Sequence, residues 1–338
     1  MDLLSLFSGI GAFEKALTNI GVDYNLVNYC EIDKYASTAY SAIHNVSEDE
    51  NLGDVRNIDT DKLPNIDMIT HGSPCQDFSI AGKQKGGDKG SNTRSSLMWH
   101  TIEIIEETKP TYVIWENVKN ILSVNHKENF IKYRKKMNSL GYKNKSKIIN
   151  AKDWGIPQNR ERIFVVSYRK GDFSFPISSL EGQQTLFNKT VINIPKYKTK
   201  DFCEKNIVRK VKSSLKKYFN EKYYKDYNSE NGCIKLFDGV EQGYFNSGFS
   251  QNRIWSYEGN IPTITTKAVI NIGELKGRLT PLECWRLMGF KDKDFYTAQN
   301  EGISDNQLYK MAGNSIVVPI LEYIFINLFN VQSKKQVI

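Results

Sequence analysis

The feature that most constrains this chain is a series of short, mostly apolar runs spaced along its first half. They are Leu3-Leu4-Ser5-Leu6-Phe7, Val27-Asn28-Tyr29-Cys30, Met68-Ile69-Thr70, Tyr112-Val113-Ile114-Trp115 and Ile163-Phe164-Val165-Val166. Runs of this length and composition read as strands. Amphipathic stretches lie among them, at Ala12 to Asn19, Leu97 to Glu107 and Phe130 to Leu140. The alternation predicts an α/β fold: a doubly wound, mostly parallel open sheet whose ligand sites lie at the carboxyl ends of the strands.

After about Gly171 the texture changes. From Pro195 to Lys225 the chain is lysine-rich with interleaved aromatics, and a Gly/Asn/Ser-rich stretch follows around Gly243 to Asn252. This predicts a smaller unit over 173–276, set against a larger one formed by 1–172 and about 300–338, with 277–299 joining them. Helical texture returns at Pro281 to Met288 and Ile316 to Phe329, so the last segment is expected to pack back on the first unit.

With 338 residues, 40% of them hydrophobic, the chain can bury a full core. No uninterrupted apolar run approaches the roughly 18 residues of a membrane span, and Met1-Asp2-Leu3-Leu4-Ser5 lacks the basic start of a secretory signal. The expected location is therefore the cytoplasm, away from any membrane. The cysteines (Cys30, Cys75, Cys203, Cys233, Cys284) are odd in number and scattered, with no C-x-x-C pair; reduced thiols and no metal are expected. A formal charge of +8 suits a polyanionic partner, although many basic proteins bind no nucleic acid.

Several motifs fall at predicted strand ends. Phe7-Ser8-Gly9-Ile10-Gly11 follows the first strand and opens a helix, where glycines let a ligand approach the backbone. Glu31 and Asp33 end the next strand, at the position from which a carboxylate reaches ribose hydroxyls in nucleoside-binding folds. Gly53-Asp54-Val55 is a further acidic turn suited to an adenine amino group, and Phe7 is placed to stack on the ring. Each of these carboxylates serves equally well as a helix cap.

Gly72-Ser73-Pro74-Cys75-Gln76-Asp77-Phe78-Ser79 follows the third run and presents a thiol at the rim of the sheet, where a lowered pKa makes it nucleophilic. The other cysteines read as small buried hydrophobes. Ile80 to Ser96, with Lys83, Lys85, Lys89 and Arg94, has the composition of a lid with affinity for phosphate, or of a solvated loop. Glu116, in Trp115-Glu116-Asn117-Val118, brings a carboxylate to the same rim. An acid beside a nucleophile is what acid-assisted attack needs. In Gln158-Asn159-Arg160-Glu161-Arg162, the arginines Arg160 and Arg162 form either a solvated pair or a cationic element of that edge.

In this order the motifs resemble those of the cytosine-C5 DNA methyltransferases of bacteria and phages. The resemblance also takes in R-S-S-L-M-W-H, R-L-T-P-x-E from Arg278 and G-N-S-I-V-V-P from Gly313. Only about Gly171 to Lys276 has no family pattern, as expected of a variable target-recognition domain, and within it Thr263-Ile264 is similar to a dipeptide found late in such domains.

The resemblance implies a Rossmann-like S-adenosylmethionine-dependent fold and no metal. The cofactor residues it implies are Phe7, Gly9, Gly11, Glu31, Ile32, Asp54, Val55, Pro74, Asn314 and Ser315. Cys75 attacks C6 of a flipped-out cytosine, Glu116 acts at N3, Arg162 contacts O2 and Arg160 positions the nucleophile loop. Gln76, Ser79, Lys83, Lys85, Lys89, Arg94 and Thr263 belong to the lid or face DNA. Double-stranded DNA is the implied partner, the chain is expected to work as a monomer, and a restriction endonuclease acting on the same site is a compatible companion.

Two other readings compete. An RNA cytosine methyltransferase shares the chemistry, but the Cys-Phe-Thr signature usual in members acting on transfer RNA is absent from this sequence. A catalytically dead DNA-binding protein would be expected to have lost Cys75, Glu116 or the arginines, and all are present. The lysine-rich stretch 196–225 makes its own prediction: nonspecific DNA binding weakens steeply as salt rises, because each neutralised phosphate releases counterions. A flat salt dependence in a filter-binding titration would place those lysines away from DNA.

Overall fold

The computed structural model describes residues 1–74, 97–178, 191–192, 194–204, 207, 233–234, 254–255, 260–266, 270–272, 275 and 277–331. The chain opens with β1 (Asp2–Leu6), α1 (Ala12–Ile20), β2 (Asn25–Cys30), α2 (Lys34–His44) and β3 (Met68–His71). It continues with α3 (Met98–Thr108), β4 (Tyr112–Val118), α4 (Lys127–Ser139), β5 (Lys143–Asn150), β6 (Gln158–Asn159) and β7 (Glu161–Tyr168).

Six strands form one sheet in the order β2-β1-β3-β4-β7-β5. β1 pairs in parallel with β2 and β3, and β3 with β4, whereas β7 runs antiparallel to both β4 and β5. Hence only β7 opposes the common direction. The expected α/β fold with a mostly parallel sheet is the one observed.

Alternation along the strands builds the layers. Leu3, Ile114, Phe164 and Val166 enter one apolar cluster with Phe13 and Leu17 of α1. Leu4, Leu6, Val113, Trp115, Ile163 and Val165 enter the other, with Ile102 and Ile105 of α3 and Phe130 and Met137 of α4. Successive side chains of a strand point to opposite faces, so these runs are apolar throughout because both faces are covered. β5 differs: Lys143, Lys145, Ser146 and Ile148 on this outer strand are exposed, and the sequence Lys-Asn-Lys-Ser-Lys carries no strand signal. Lysines on an edge discourage pairing with another chain.

The order reverses at β1, whose neighbours β2 and β3 lie on opposite sides. A crevice therefore opens between the carboxyl ends of β1 and β3, the switch point at which open α/β sheets bind ligands.

The middle region contributes two-residue strands: β8 (Ile177–Ser178), β9 (Val191–Ile192), β10 (Cys233–Ile234), β11 (Ile254–Trp255), β12 (Ile261–Pro262), β13 (Asn271–Ile272) and β14 (Gly277–Arg278). β12 pairs with β6 at the start of the Arg-x-Arg segment.

The C-terminal part is helical: α5 (Pro281–Arg286), α6 (Asp292–Asn300), α7 (Asp305–Asn314) and α8 (Val318–Phe329). Thr280 and Glu283 close a capping box over α5, with Pro281 in its first turn, which is the local meaning of Thr-Pro-x-Glu. α8 returns to α1: Asn19 Nδ2 donates to Glu322 Oε1 at 2.5 Å, and Phe13 packs on Phe325 at 6.4 Å between ring centroids. Lys15 pairs with Asp294 of α6 at 2.6 Å. The stretch Asp305–Phe329 is apolar and long enough in sum to cross a membrane, yet 72% of its most apolar window is buried in the protein, and it is broken between α7 and α8.

Two constraints yield predictions. A methyl group on Gly313 would lie 2.3 Å from Thr265 C and Thr266 N, backbone atoms that cannot step aside as a side-chain tip can. Gly313→Ala is therefore expected to lose about 1–3 kcal/mol of stability, as overpacked sites do, read as a lower urea midpoint. His71 is fully buried at the end of β3, stacked on Trp115, and burial pushes its pKa down to about 3. The unfolded chain protonates His71 below its ordinary value near 6.5, while the folded chain does not. Stability from this group is thus complete above about 6.5 and is lost as pH falls from there toward 3. The urea midpoint of His71→Phe should fall less between neutral pH and mild acid than that of the parent; parallel curves would assign the acid sensitivity to other groups.

Candidate active site

The turn after β1 is shaped by residues in the left-handed region: Phe7, Gly9 and Gly11 have φ of 54°, 57° and 75°. Ser8 N and Oγ both donate to Cys30 O, at 3.1 and 3.2 Å, tying this turn to the end of β2. Space is open beside Gly9, where an added Cβ would touch nothing within 4 Å. Gly11 is the opposite case, since a Cβ there would fall 2.0 Å from His44 Nε2. One glycine thus leaves room on the outside of the turn and the other allows close packing beneath it.

Glu31 faces this turn. Its Oε2 accepts from Gly9 N at 2.9 Å and its Oε1 from Asp33 N at 2.8 Å. Burial raises its pKa, and the two backbone donors work against that rise. Next to it Ile32 is 74% exposed, an aliphatic side chain held out at the rim. Asp33 caps α2 through Tyr35 N and Ala36 N and pairs with Lys310 of α7 at 2.5 Å.

Asp54 caps a short 3-10 turn by accepting from Arg56 N at 3.0 Å, and the Arg56 guanidinium also grips it. That grip lowers the Asp54 pKa. Val55 behind it is buried. The capping role that was open for these acids is therefore realised at Asp33 and Asp54, whereas Glu31 spends its oxygens on the glycine turn and its own loop.

At the adjoining rim, Glu116 is 8% exposed, and Arg162 Nε lies 3.0 Å from its Oε1. Burial raises the Glu116 pKa, while Arg162 and then Arg160 oppose the rise. The end of β4 is pinned to the segment after β3: Trp115 Nε1 donates to Ser73 Oγ at 3.0 Å, and Asn117 Nδ2 to Ser73 O at 3.2 Å. A Cβ on Gly72 would sit 3.8 Å from Glu116 Oε2, so this carboxylate lies close to the backbone at Gly72, three residues before Cys75 in sequence.

Arg160 is buried, and its guanidinium donates to Ile264 O (2.9 Å), Gly313 O (3.1 Å) and Ser315 O (2.6 Å). Thr263 Oγ1 donates to Asn159 O at 2.7 Å, beside the same segment. Ser315 is buried, and Asn314, the last residue of α7, is exposed. Cys75, Gln76, Ser79, Lys83, Lys85, Lys89 and Arg94 lie outside the described residues, as does the lysine-rich stretch beyond 204 apart from Ile207.

Two polar residues at these seams were given no role on sequence grounds. Gln158 is wholly buried, accepting from Ile264 N at 3.0 Å and donating to Leu287 O at 3.1 Å. Asn51 joins the ends of β2 and the Gly53 turn. Gln158 opens a motif that had been noticed; Asn51 carries only the weak signal of an amide two residues before Gly-Asp-Val.

Comparison with known proteins agrees with this geometry. Residues 1–330 match the pattern of the C-5 cytosine-specific DNA methylases. The chain is similar to the type II methyltransferase M2.ScrFI of Lactococcus lactis subsp. cremoris, 40% identical over 84% of this chain and 72% of that protein. It is 32% identical to the orphan methyltransferase M.SPRI of Bacillus phage SPR across 99% of both chains, and 31% identical to M.HhaI of Haemophilus parahaemolyticus across 97% of this chain and 94% of that one. In fold it resembles the Entamoeba histolytica methyltransferase EhMeth, with a TM-score of 0.70 and 17% identity over 98% of each chain. With a family pattern that spans nearly its whole length and an acid and paired arginines gathered at the strand ends, the chain belongs to the C-5 cytosine-specific DNA methylases and is a DNA (cytosine-5) methyltransferase.

Proposed function

We propose that this protein methylates C5 of a cytosine swung out of a short double-stranded DNA sequence, through a covalent bond from Cys75 to C6, with S-adenosylmethionine as the methyl donor. The observation that carries the reading is Glu116, a buried carboxyl beside Arg162 and close to Gly72, which precedes Cys75 by three residues.

The chemistry explains the need for this set. Cytosine C5 is not a nucleophile until C6 is attacked. The Cys75 thiolate forms the S–C6 bond and the C5=C6 electron pair shifts toward C5, while Glu116 donates a proton to N3 and so takes up the charge that develops in the ring. A carboxyl whose burial raises its pKa keeps that proton further toward neutral pH than a free one. Arg162, whose Nε lies 3.0 Å from Glu116, would donate to the cytosine O2. Once C5 carries the methyl group, loss of the C5 proton and elimination of the Cys75 thiolate release the product.

The cofactor supplies an electrophilic methyl group. The residues present fit it: the open side of Gly9 admits a ligand to the backbone, Glu31 stands beside that turn, and the exposed Ile32 offers an apolar surface at the rim. Phe7, Gly9, Gly11, Glu31, Ile32, Asp54, Val55 and Pro74 would line this side, with Asn314 and Ser315 completing it from the C-terminal segment. Asp54 can serve a base amino group only with Arg56 remaining on its far oxygen or turning away.

A stacked base cannot reach this rim, so the target is flipped out at a cost of a few kcal/mol, recovered by contacts in the pocket and cleft. We assign 1–172 with about 300–338 to the catalytic unit, 173–276 to target recognition and 277–299 to their junction. The positively charged middle region would hold phosphates and read base edges. The chain is proposed to act as a monomer in the cytoplasm on nucleoid DNA, a restriction endonuclease of the same specificity being a compatible companion.

Incubating the parent and Cys75→Ala with unmethylated DNA and S-adenosylmethionine, then digesting to nucleosides for mass spectrometry, tests the reading. 5-Methylcytosine is expected with the parent alone, while DNA binding by Cys75→Ala stays largely intact. Methylation by Cys75→Ala would remove it as the nucleophile, and a parent active on RNA but not on DNA would overturn the substrate.

A further inference from the structure

We propose that Asn51 is a positioning residue for the cofactor: its single amide locks the Glu31 loop and the Gly53-Asp54 turn into one recognition surface. The inference rests on the cofactor reading above and deepens it.

A side-chain amide has two donor hydrogens and one oxygen with two lone pairs. Asn51 uses all of them. Its Nδ2 donates to Glu31 O and to Ser37 Oγ, both at 2.9 Å, and its Oδ1 accepts from Glu31 N at 3.0 Å and Gly53 N at 2.9 Å. Two backbone N–H groups face the oxygen and a carbonyl faces the nitrogen, so only one orientation of the amide fits. The Gly53 contact alone would be an ordinary Asx turn. The other bonds reach back across 20 residues to Glu31 and 14 to Ser37.

These partners bear directly on the candidate cofactor groups. Both backbone polar atoms of Glu31 are held by Asn51, and both of its carboxylate oxygens accept backbone N–H groups, from Gly9 and Asp33. An unbroken hydrogen-bonded path therefore runs from the Gly53 turn through Asn51 and Glu31 to the glycine turn after β1. Leu52 N donates to Tyr29 O at 2.8 Å, laying this segment alongside β2. Gly53 itself has φ of 69°, and the turn presents Asp54 immediately after. Asn51 lies outside both apolar clusters. What it holds is the relative placement of the loops that carry Glu31 and Asp54, and loops already in place spare the cofactor the cost of ordering them.

Asn51→Asp tests this with no change of shape. It removes both donors and sets a carboxylate oxygen against Glu31 O, next to an acid whose pKa is already raised. Asn51→Ala withdraws a bond from each of these four groups, and Ser37→Ala, which removes one Asn51 contact together with the Ser37 Oγ bond to the Tyr29 hydroxyl, serves if the others fold poorly. Rates would be measured with S-adenosylmethionine varied at saturating DNA, alongside calorimetric binding of S-adenosylhomocysteine and thermal melting.

Expected is a rise of roughly tenfold to a hundredfold in the KM for S-adenosylmethionine in Asn51→Asp, with kcat at saturating cofactor within about threefold of the parent. Ser37→Ala should shift KM the same way and by less. An unchanged KM in Asn51→Asp, whether or not its melting temperature falls, would overturn the inference and leave Asn51 a purely structural clip. A loss confined to kcat would overturn it as well. A parent that transfers methyl groups yet binds no S-adenosylhomocysteine would instead bring down the cofactor reading, and this inference with it.

Discussion

A buried arginine holds the strand ends to the C-terminal segment. Burying a guanidinium is costly unless its donors are satisfied. Arg160 meets much of that demand through Nη1 and Nη2, which donate to carbonyls of Ile264, Gly313 and Ser315, 104 to 155 residues away in sequence. Because these acceptors are main-chain atoms, their segments must come to the arginine in fixed conformations. Gly313 can do so only without a side chain, since its α-carbon lies against the backbone at Thr265 and Thr266. Gln158, two residues earlier, fixes Ile264 and Leu287 in the same way. Loss of any one partner would cost a buried charged or amide group a bond it now makes.

That seam also contributes to the electrostatics of Glu116, the proposed acid. Glu116 is pulled in two directions, burial favouring its neutral form and Arg162 and Arg160 its charged form. On the proposed mechanism, neither tendency alone serves a group that gives up a proton to a ring nitrogen and then recovers it. With burial the larger effect, the carboxyl keeps its proton at higher pH than a free glutamate, and the arginines stabilise the carboxylate left after donation. The arginine that completes the C-terminal seam is thus also one of the charges that tune the acid.

Much of this was legible in the sequence, for a physical reason. Strands buried on both faces need apolar side chains at nearly every position, and β1, β3, β4 and β7 therefore stood out. β5 did not, because an edge strand facing water can be built from lysine and asparagine. α2, rich in small and polar residues, was also silent, although the Asp33 that caps it had been singled out as an acid. Glu31, Glu116 and the arginines stand out in the sequence because chemistry at a strand end requires a particular residue type in a particular order. Asn51 and Gln158 were not assigned, since an amide that bridges separated backbone segments leaves no periodicity and no charge pattern.

The two halves of the rim solve different problems. The half at β1 and β2 is tied together by backbone donors and one amide, and among the described residues the only ion pair reaching it from afar is Lys310 to Asp33. The half at β4 and β7 instead places a carboxyl beside the Arg162 guanidinium, within the field of Arg160, and ties the end of β4 through Trp115 and Asn117 to Ser73. In the proposed reading the cofactor meets a preformed frame of backbone dipoles, which need no reorganisation when it arrives. A flipped base gains charge only during reaction, so charge has to be waiting beside it. Placing both frames at the carboxyl ends of one sheet lets a single fold provide each without moving the other.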